Sequence, residues 1–194
     1  MVIPLDFNFG LRNYAGLFDM VLKRGQALPA IATTEYTTAR DNQNAIALRI
    51  YCGERPLCRH CDFLGQLVIP NLPKKPAGEV SIEVSFKIDE SGILSIEAKE
   101  TSQNRYFKTS IDRSNMKIQK KTAIIEAQVN EKEDTELAQQ VKYATEQISK
   151  LQIKLRDNEK VQVQLDAFID VIVKHSETMS IDTINRIIKE INQF

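Results

Sequence analysis

The run from Glu79 to Glu100, EVSIEVSFKIDESGILSIEAKE, narrows the folds open to this chain more than any other stretch. Val80, Ile82, Val84, Phe86 and Ile88 alternate with Glu79, Ser81, Glu83, Ser85 and Lys87, a period of two that puts the apolar set on one face of a strand. Leu94, Ile96 and Ala98 repeat the pattern beyond Asp89-Glu90-Ser91-Gly92, whose turn formers and glycine predict a hairpin with one buried face. Such alternation suits an antiparallel sheet that is wet on one side.

The same short period recurs along the first part of the chain, predicting further strands at Leu17–Lys23, Thr33–Thr38, Ala45–Cys52, Phe63–Ile69 and Arg105–Ile111. Gly25, Pro29, Gly53, Pro56, Pro70, Pro73 and Pro76 fall where strands must stop. After Asn115 there is neither proline nor glycine and the apolar period becomes helical, so the boundary is expected near Arg113–Ile118. Leu137, Val141, Ala144, Ile148, Leu151 and Leu155 line one helix face, and Val161, Leu165, Phe168, Ile169 and Ile172 a second. Ser180 is placed to cap a third helix carrying Ile181, Ile184, Ile187, Ile188 and Ile191. These stripes read as a bundle core or a self-association surface. The expected class is α+β, an antiparallel β-unit followed by helices.

Composition removes several functions. With 194 residues and 42% hydrophobic content the chain can build one medium core plus a smaller helical unit. Its 26 basic residues balance 26 acidic ones, which leaves no global field to hold nucleic acid or an anionic membrane. No apolar run approaches the ~20 residues that cross a bilayer, and MVIPLDFNF lacks the basic flank of a signal peptide, so a soluble, cytoplasmic protein is expected. The odd set Cys52, Cys58 and Cys61 argues for a reducing compartment. Cys58-Arg59-His60-Cys61 raises redox or metal chemistry, yet only Cys52, His60 and the distant His175 could complete a zinc site, and passive loop cysteines are the favoured reading. No nucleophile elbow or phosphate-binding glycine loop occurs, and no enzyme is expected.

The words FKIDESGILSIEAKE resemble the strand–turn–strand signature in the substrate-binding domain of seventy-kilodalton heat-shock chaperones. FGLRNYAGLFDMVLKRGQALPA from Phe9, EYTTARDNQNAIALRI from Glu35, CGERP from Cys52 and FLGQLVIPNLP from Phe63 follow in family order and spacing. The resemblance covers roughly Asp6 to Ile111 and implies a β-sandwich peptide-binding domain over residues 11–114 with a helical lid over 115–194, residues 1–10 being a linker remnant and the entry to the first strand. It implies that Leu11, Tyr36, Ile46, Leu48 and Ile82 form an apolar pocket for one client side chain. Asn13, Tyr14, Ala15, Thr37, Ala39 and Gln43 take the positions that grip the peptide main chain, Tyr14 and Ala39 arching over it. Hydrophobic peptides and unfolded proteins are the implied partners, with a J-domain co-chaperone, a nucleotide-exchange factor and an upstream ATPase domain. ATP and magnesium would belong to that ATPase domain, and no cofactor is expected within these residues.

Two departures from the family pattern matter. The linker to the ATPase is reduced to Val2-Ile3-Pro4-Leu5-Asp6, which bears on coupling. The arginine that latches the lid in many members is absent from Pro76-Ala77-Gly78, so a looser or differently docked lid is expected. Cys61 and Ala77-Gly78 also occur in the branch serving an iron–sulfur cluster scaffold protein, which stays open as an alternative. So do an interaction or homodimerisation module built on the helices, and a metal or redox switch at the cysteines.

Overall fold

The computed structural model describes residues 4–112 and 131–194. It contains two antiparallel four-stranded sheets followed by three helices. The first sheet holds β1 (Asn8–Arg12), β2 (Phe18–Leu22), β4 (Ile46–Gly53) and β5 (Asp62–Ile69) in the order β2-β1-β4-β5. The second holds β3 (Ala30–Thr37), β6 (Ser81–Ile88), β7 (Ile93–Glu100) and β8 (Arg105–Asp112) in the order β3-β6-β7-β8. The boundary expected near Arg113–Ile118 lies outside the described residues.

The hairpin forms where the alternation places it. In β6 and β7, Val84 faces Ala98, Phe86 faces Ile96 and Ile88 faces Leu94, and all six are fully buried. The turn is held by Asp89, whose Oδ1 accepts the Ile93 amide at 3.0 Å and the Ser91 hydroxyl at 2.6 Å, while Gly92 takes φ +86°. Across the sandwich Phe9, Leu11, Leu22, Leu48, Ile50 and Ile69 supply the opposing apolar face. Burying each such side chain contributes about 1.5–3 kcal/mol before the entropy of ordering it.

β3 starts at Ala30, three residues ahead of the predicted Thr33, because Ala30, Ile31 and Ala32 pair with Ile88, Lys87 and Phe86. β1 begins at Asn8 and Leu5 is already core, 2% exposed. Gly10 marks an irregularity in the β1–β2 pairing, where a Cβ would stand 2.0 Å from the Asp19 carbonyl oxygen, so no other residue fits without moving the backbone.

The helices are α1 (Glu131–Lys154), α2 (Glu159–His175) and α3 (Ile181–Ile191). Asn158 and Ser180 cap α2 and α3, their side chains accepting the Val161 and Thr183 amides. Leu137, Val141, Ala144, Ile148, Leu165, Ile169, Ile172, Ile184, Ile187 and Ile191 form one cluster that also buries Ala15, Leu17 and Leu57 of the β-unit. The stripes therefore pack on each other and on the sandwich, so covering them takes no second copy.

Candidate functional site, an arched cavity under the helices

The turn after β1 and the loop after β3 face each other over a cavity of about 190 Å³. Leu11, Ile46 and Leu48 line it with Tyr36, and Tyr14 and Ala39 stand at the same opening with Asn13, Thr37 and Gln43. Two candidates lie elsewhere. Ile82 is fully buried in the sandwich core, and Ala15, 3% exposed, packs beneath the helices. Ile82 sits on β6, opposite Tyr36 of β3, and Ala15 in the β1–β2 turn next to Tyr14.

Asn13 and Gln43 build the loops from within. Asn13 Oδ1 accepts the Ala15 and Leu17 amides, each at 3.0 Å, closing the turn that carries Tyr14. Gln43 Oε1 accepts the Ala39 amide at 3.0 Å while its Nε2 donates to the Ala45 carbonyl at 2.9 Å, which holds Ala39 in place. Asp41 accepts the Ala77 amide at 2.7 Å and ties this loop to Pro76-Ala77-Gly78. These side chains are committed to shaping the arch, so any contact they make with a ligand must come from their remaining groups.

Both tyrosines are neutral hydrogen-bonding groups at ordinary pH. Burial pushes the Tyr14 phenol up, partly offset by hydrogen bonds with Thr145 and Ser149 of α1. Burial, then donation to Asp19 at 2.6 Å, pushes Tyr36 up strongly. Tyr14 thus links the arch directly to α1. A second cavity of about 300 Å³ lies between arch and helices, shared by Tyr14, Thr37 and Ala39 with Gln152 of α1 and with Arg156, two residues past its end.

Side chains that sequence reasoning did not single out fasten the helices over the opening. Arg40, next to Ala39, pairs with Asp170 of α2, and Arg156 Nη1 lies 3.1 Å from Glu79 Oε1. On the other side Arg12 Nη2 donates to Ser176 Oγ at 2.6 Å and Glu177 Oε1 at 2.9 Å. The missing arginine beside Gly78 therefore leaves a cover docked by other ion pairs. No local signal could have announced them, since each partner is more than 70 positions away.

The C-x-x-C turn takes part in the same docking. Its middle residues reach across: His60 Nδ1 lies 2.6 Å from Asp134 Oδ2, and Arg59 Nη2 lies 3.5 Å from Asp134 Oδ1. Arg59 Nη1 donates to the Glu177 and Met179 carbonyls at 3.3 and 3.2 Å. Cys58 and Cys61 are buried thiols. Burial pushes both up, Cys61 to about 11, which suppresses thiolate chemistry. Among the described residues no group of three His, Cys, Asp or Glu converges to hold a metal ion, and no helix is long and apolar enough to cross a membrane.

A two-sheet sandwich with an arched apolar opening, closed over by a docked helical unit, defines a β-sandwich module with a helical cover. The family model described as Hsp70 protein matches residues 2–193, and the chain belongs to that family. The chain is 37% identical over 111 residues to a "Chaperone protein HscA homolog" of Acinetobacter baylyi, 57% of this chain and 17% of that protein. It is 38% identical over 99 residues to a "Heat shock cognate HSP70 protein" of Trypanosoma brucei brucei, 51% of this chain and 14% of that protein. It is 36% identical over 99 residues to "Chaperone protein DnaK" of Halobacterium salinarum, 51% of this chain and 15% of that protein. The matched region thus spans well under a fifth of these relatives' own lengths.

Proposed function

We propose that this chain is the substrate-binding part of an Hsp70-type chaperone, a clamp for short, extended, apolar segments of unfolded client proteins. The observation that carries the reading is the convergence of Leu11, Ile46, Leu48, Tyr36, Tyr14 and Ala39 on one arched cavity, from three strands and two loops. A dry pocket of this kind gains about 1.5–3 kcal/mol from one buried aliphatic side chain, and polar groups along the peptide main chain add breadth of recognition. Charged groups placed on that floor pay desolvation without a partner.

In this reading the helical unit is a lid. Its docking through Arg40–Asp170 and Arg156–Glu79 supports slow peptide release when closed, because affinity differences appear mostly in the off-rate. ATP and magnesium, an ATPase domain, a J-domain co-chaperone and a nucleotide-exchange factor belong to the whole chaperone by family membership. The raised thiols of Cys58 and Cys61 favour a packing role for them over a redox switch.

The test is fluorescence anisotropy of a labelled heptapeptide with a leucine-rich centre, titrated with this protein and with Ile46→Phe. The larger ring should fill the cavity floor and weaken binding by about tenfold or more, the loss of roughly 1.4 kcal/mol of burial. No saturable binding by the folded protein, or equal binding by the variant, overturns the clamp and favours an interaction module built on the helices.

A further inference from the structure

The cavity floor is apolar, but its rim carries charge of one sign. Among the described residues, the charged side chains lining it are Arg12 and Arg49, and no carboxylate lines it. The two are cross-strand partners, Arg12 on β1 facing Arg49 on β4. Like charges placed directly opposite in a sheet repel, so each needs an offsetting anion. Arg12 has one in Glu177 at 2.9 Å. Arg49 is exposed and makes no ion pair among the described residues.

Acids on the neighbouring elements are engaged elsewhere, Asp41 with the Ala77 amide among them. Asp19, opposite Leu11 in the β1–β2 pairing, accepts the Tyr36 hydroxyl at 2.6 Å. Asp170 is held by Arg40. The whole chain carries net charge +0, so this positive rim is a local feature created by the fold.

We propose that the Arg12–Arg49 rim makes the clamp selective for apolar segments that carry an aspartate or glutamate next to the anchored aliphatic residue. The inference rests on the clamp reading above and adds the chemistry of the flanking position. An extended segment advances about 3.3 Å per residue with side chains alternating between faces, so a carboxylate one to three residues from the anchor lies within reach of the rim. A guanidinium matches a carboxylate in a two-pronged geometry that an ammonium lacks. Arg49 supplies the guanidinium that has no ion-pair partner among the described residues. Arg12 is already offset, its own fork being turned toward Ser176 and Glu177.

Three labelled heptapeptides with the same leucine-rich centre and flanking Asp, Ser or Lys test the proposal. Anisotropy titrations at roughly 0.05 M and 0.5 M salt would use the wild type, Arg49→Glu and Arg49→Lys. The expected order of affinity at low salt is Asp, then Ser, then Lys, with about fivefold to tenfold between the extremes, as one partly screened charge pair provides. Arg49→Glu should reverse the order, Arg49→Lys should keep its direction, and high salt should bring the three within about twofold.

Equal affinity for the Asp and Lys peptides, or an unchanged preference in Arg49→Glu, overturns the rim proposal while binding of the Ser peptide leaves the clamp standing. Failure of the Ser peptide to bind the folded wild type overturns both. Arg49 is exposed on the sheet, so its variants should fold normally, checked by circular dichroism.

Discussion

Replacing Arg59 with alanine should loosen the helical unit from the sandwich without unfolding the sandwich itself. Arg59 makes three contacts across the interface, to Asp134 of α1 at 3.5 Å and to the Glu177 and Met179 carbonyls ahead of α3 at 3.3 and 3.2 Å. Removing it leaves the Asp134 carboxylate, 6% exposed, with His60 as its remaining partner at that turn. Stripping one partner from a fully buried pair costs about 3–5 kcal/mol. Arg59 is 23% exposed and its contacts are long, which brings the estimate to roughly 2–3 kcal/mol.

Native-state hydrogen exchange reads that cost element by element. Amides of α1 and α3 should lose protection by about 30- to 150-fold, the same free energy converted at 1.4 kcal/mol per factor of ten, while β6 and β7 keep theirs. Arg59→Lys, which keeps the charge but not the fork, should recover part of the loss. Loss of protection in β6 and β7 equal to that in α1, or a change under about threefold in α1, would refute the docking argument.

Gly10→Ala should destabilise the sandwich by at least about 1–3 kcal/mol in urea melts, because the new Cβ would sit 2.0 Å from the Asp19 carbonyl and the β1–β2 pairing must move; an unchanged midpoint contradicts this. Burial of Glu100 pulls its carboxyl up, but hydrogen bonds from the Ser102 hydroxyl and amide and the Gln103 amide outweigh it and hold the group below the ordinary 4.5. Its ionised form therefore adds stability above about pH 4.5 that disappears as pH falls further, and Glu100→Gln should flatten the acid limb of a stability–pH curve. With Cys61 pushed up to about 11 from 9.0, its thiolate fraction at pH 8 is about 100-fold below that of an ordinary thiol, so mass spectrometry should show alkylation slower by at least that factor until the protein is denatured.

The elements were legible wherever one face is wet. Val84, Phe86 and Ile88 against Ala98, Ile96 and Leu94 declare β6 and β7 by their spacing, and Ser180 ahead of Ile181 declares the start of α3. Nine of the eleven residues expected at the opening line it, which the motif order announced. Ile82 lies in the sandwich core and Ala15 beneath the helices, because resemblance gives a position along the chain whereas the surroundings of a side chain are decided by packing. The C-x-x-C turn shows the same limit: its spacing suggests thiol chemistry, yet Arg59 and His60 use the turn to hold Asp134.

The sequence by itself determined the order of strands then helices, the hairpin and its turn, and the family, because period, turn formers and motif order are carried by residues close along the chain. The tertiary structure alone decided which charges meet. Arg40 finds Asp170, Arg156 finds Glu79, Arg12 finds Glu177, and Arg49 is left facing the cavity mouth without an ion-pair partner among the described residues. The physical reason is range: an apolar pattern acts through burial of its own strand or helix, while an ion pair needs two side chains within about 4 Å, a condition met only after the sheets and helices have closed on one another.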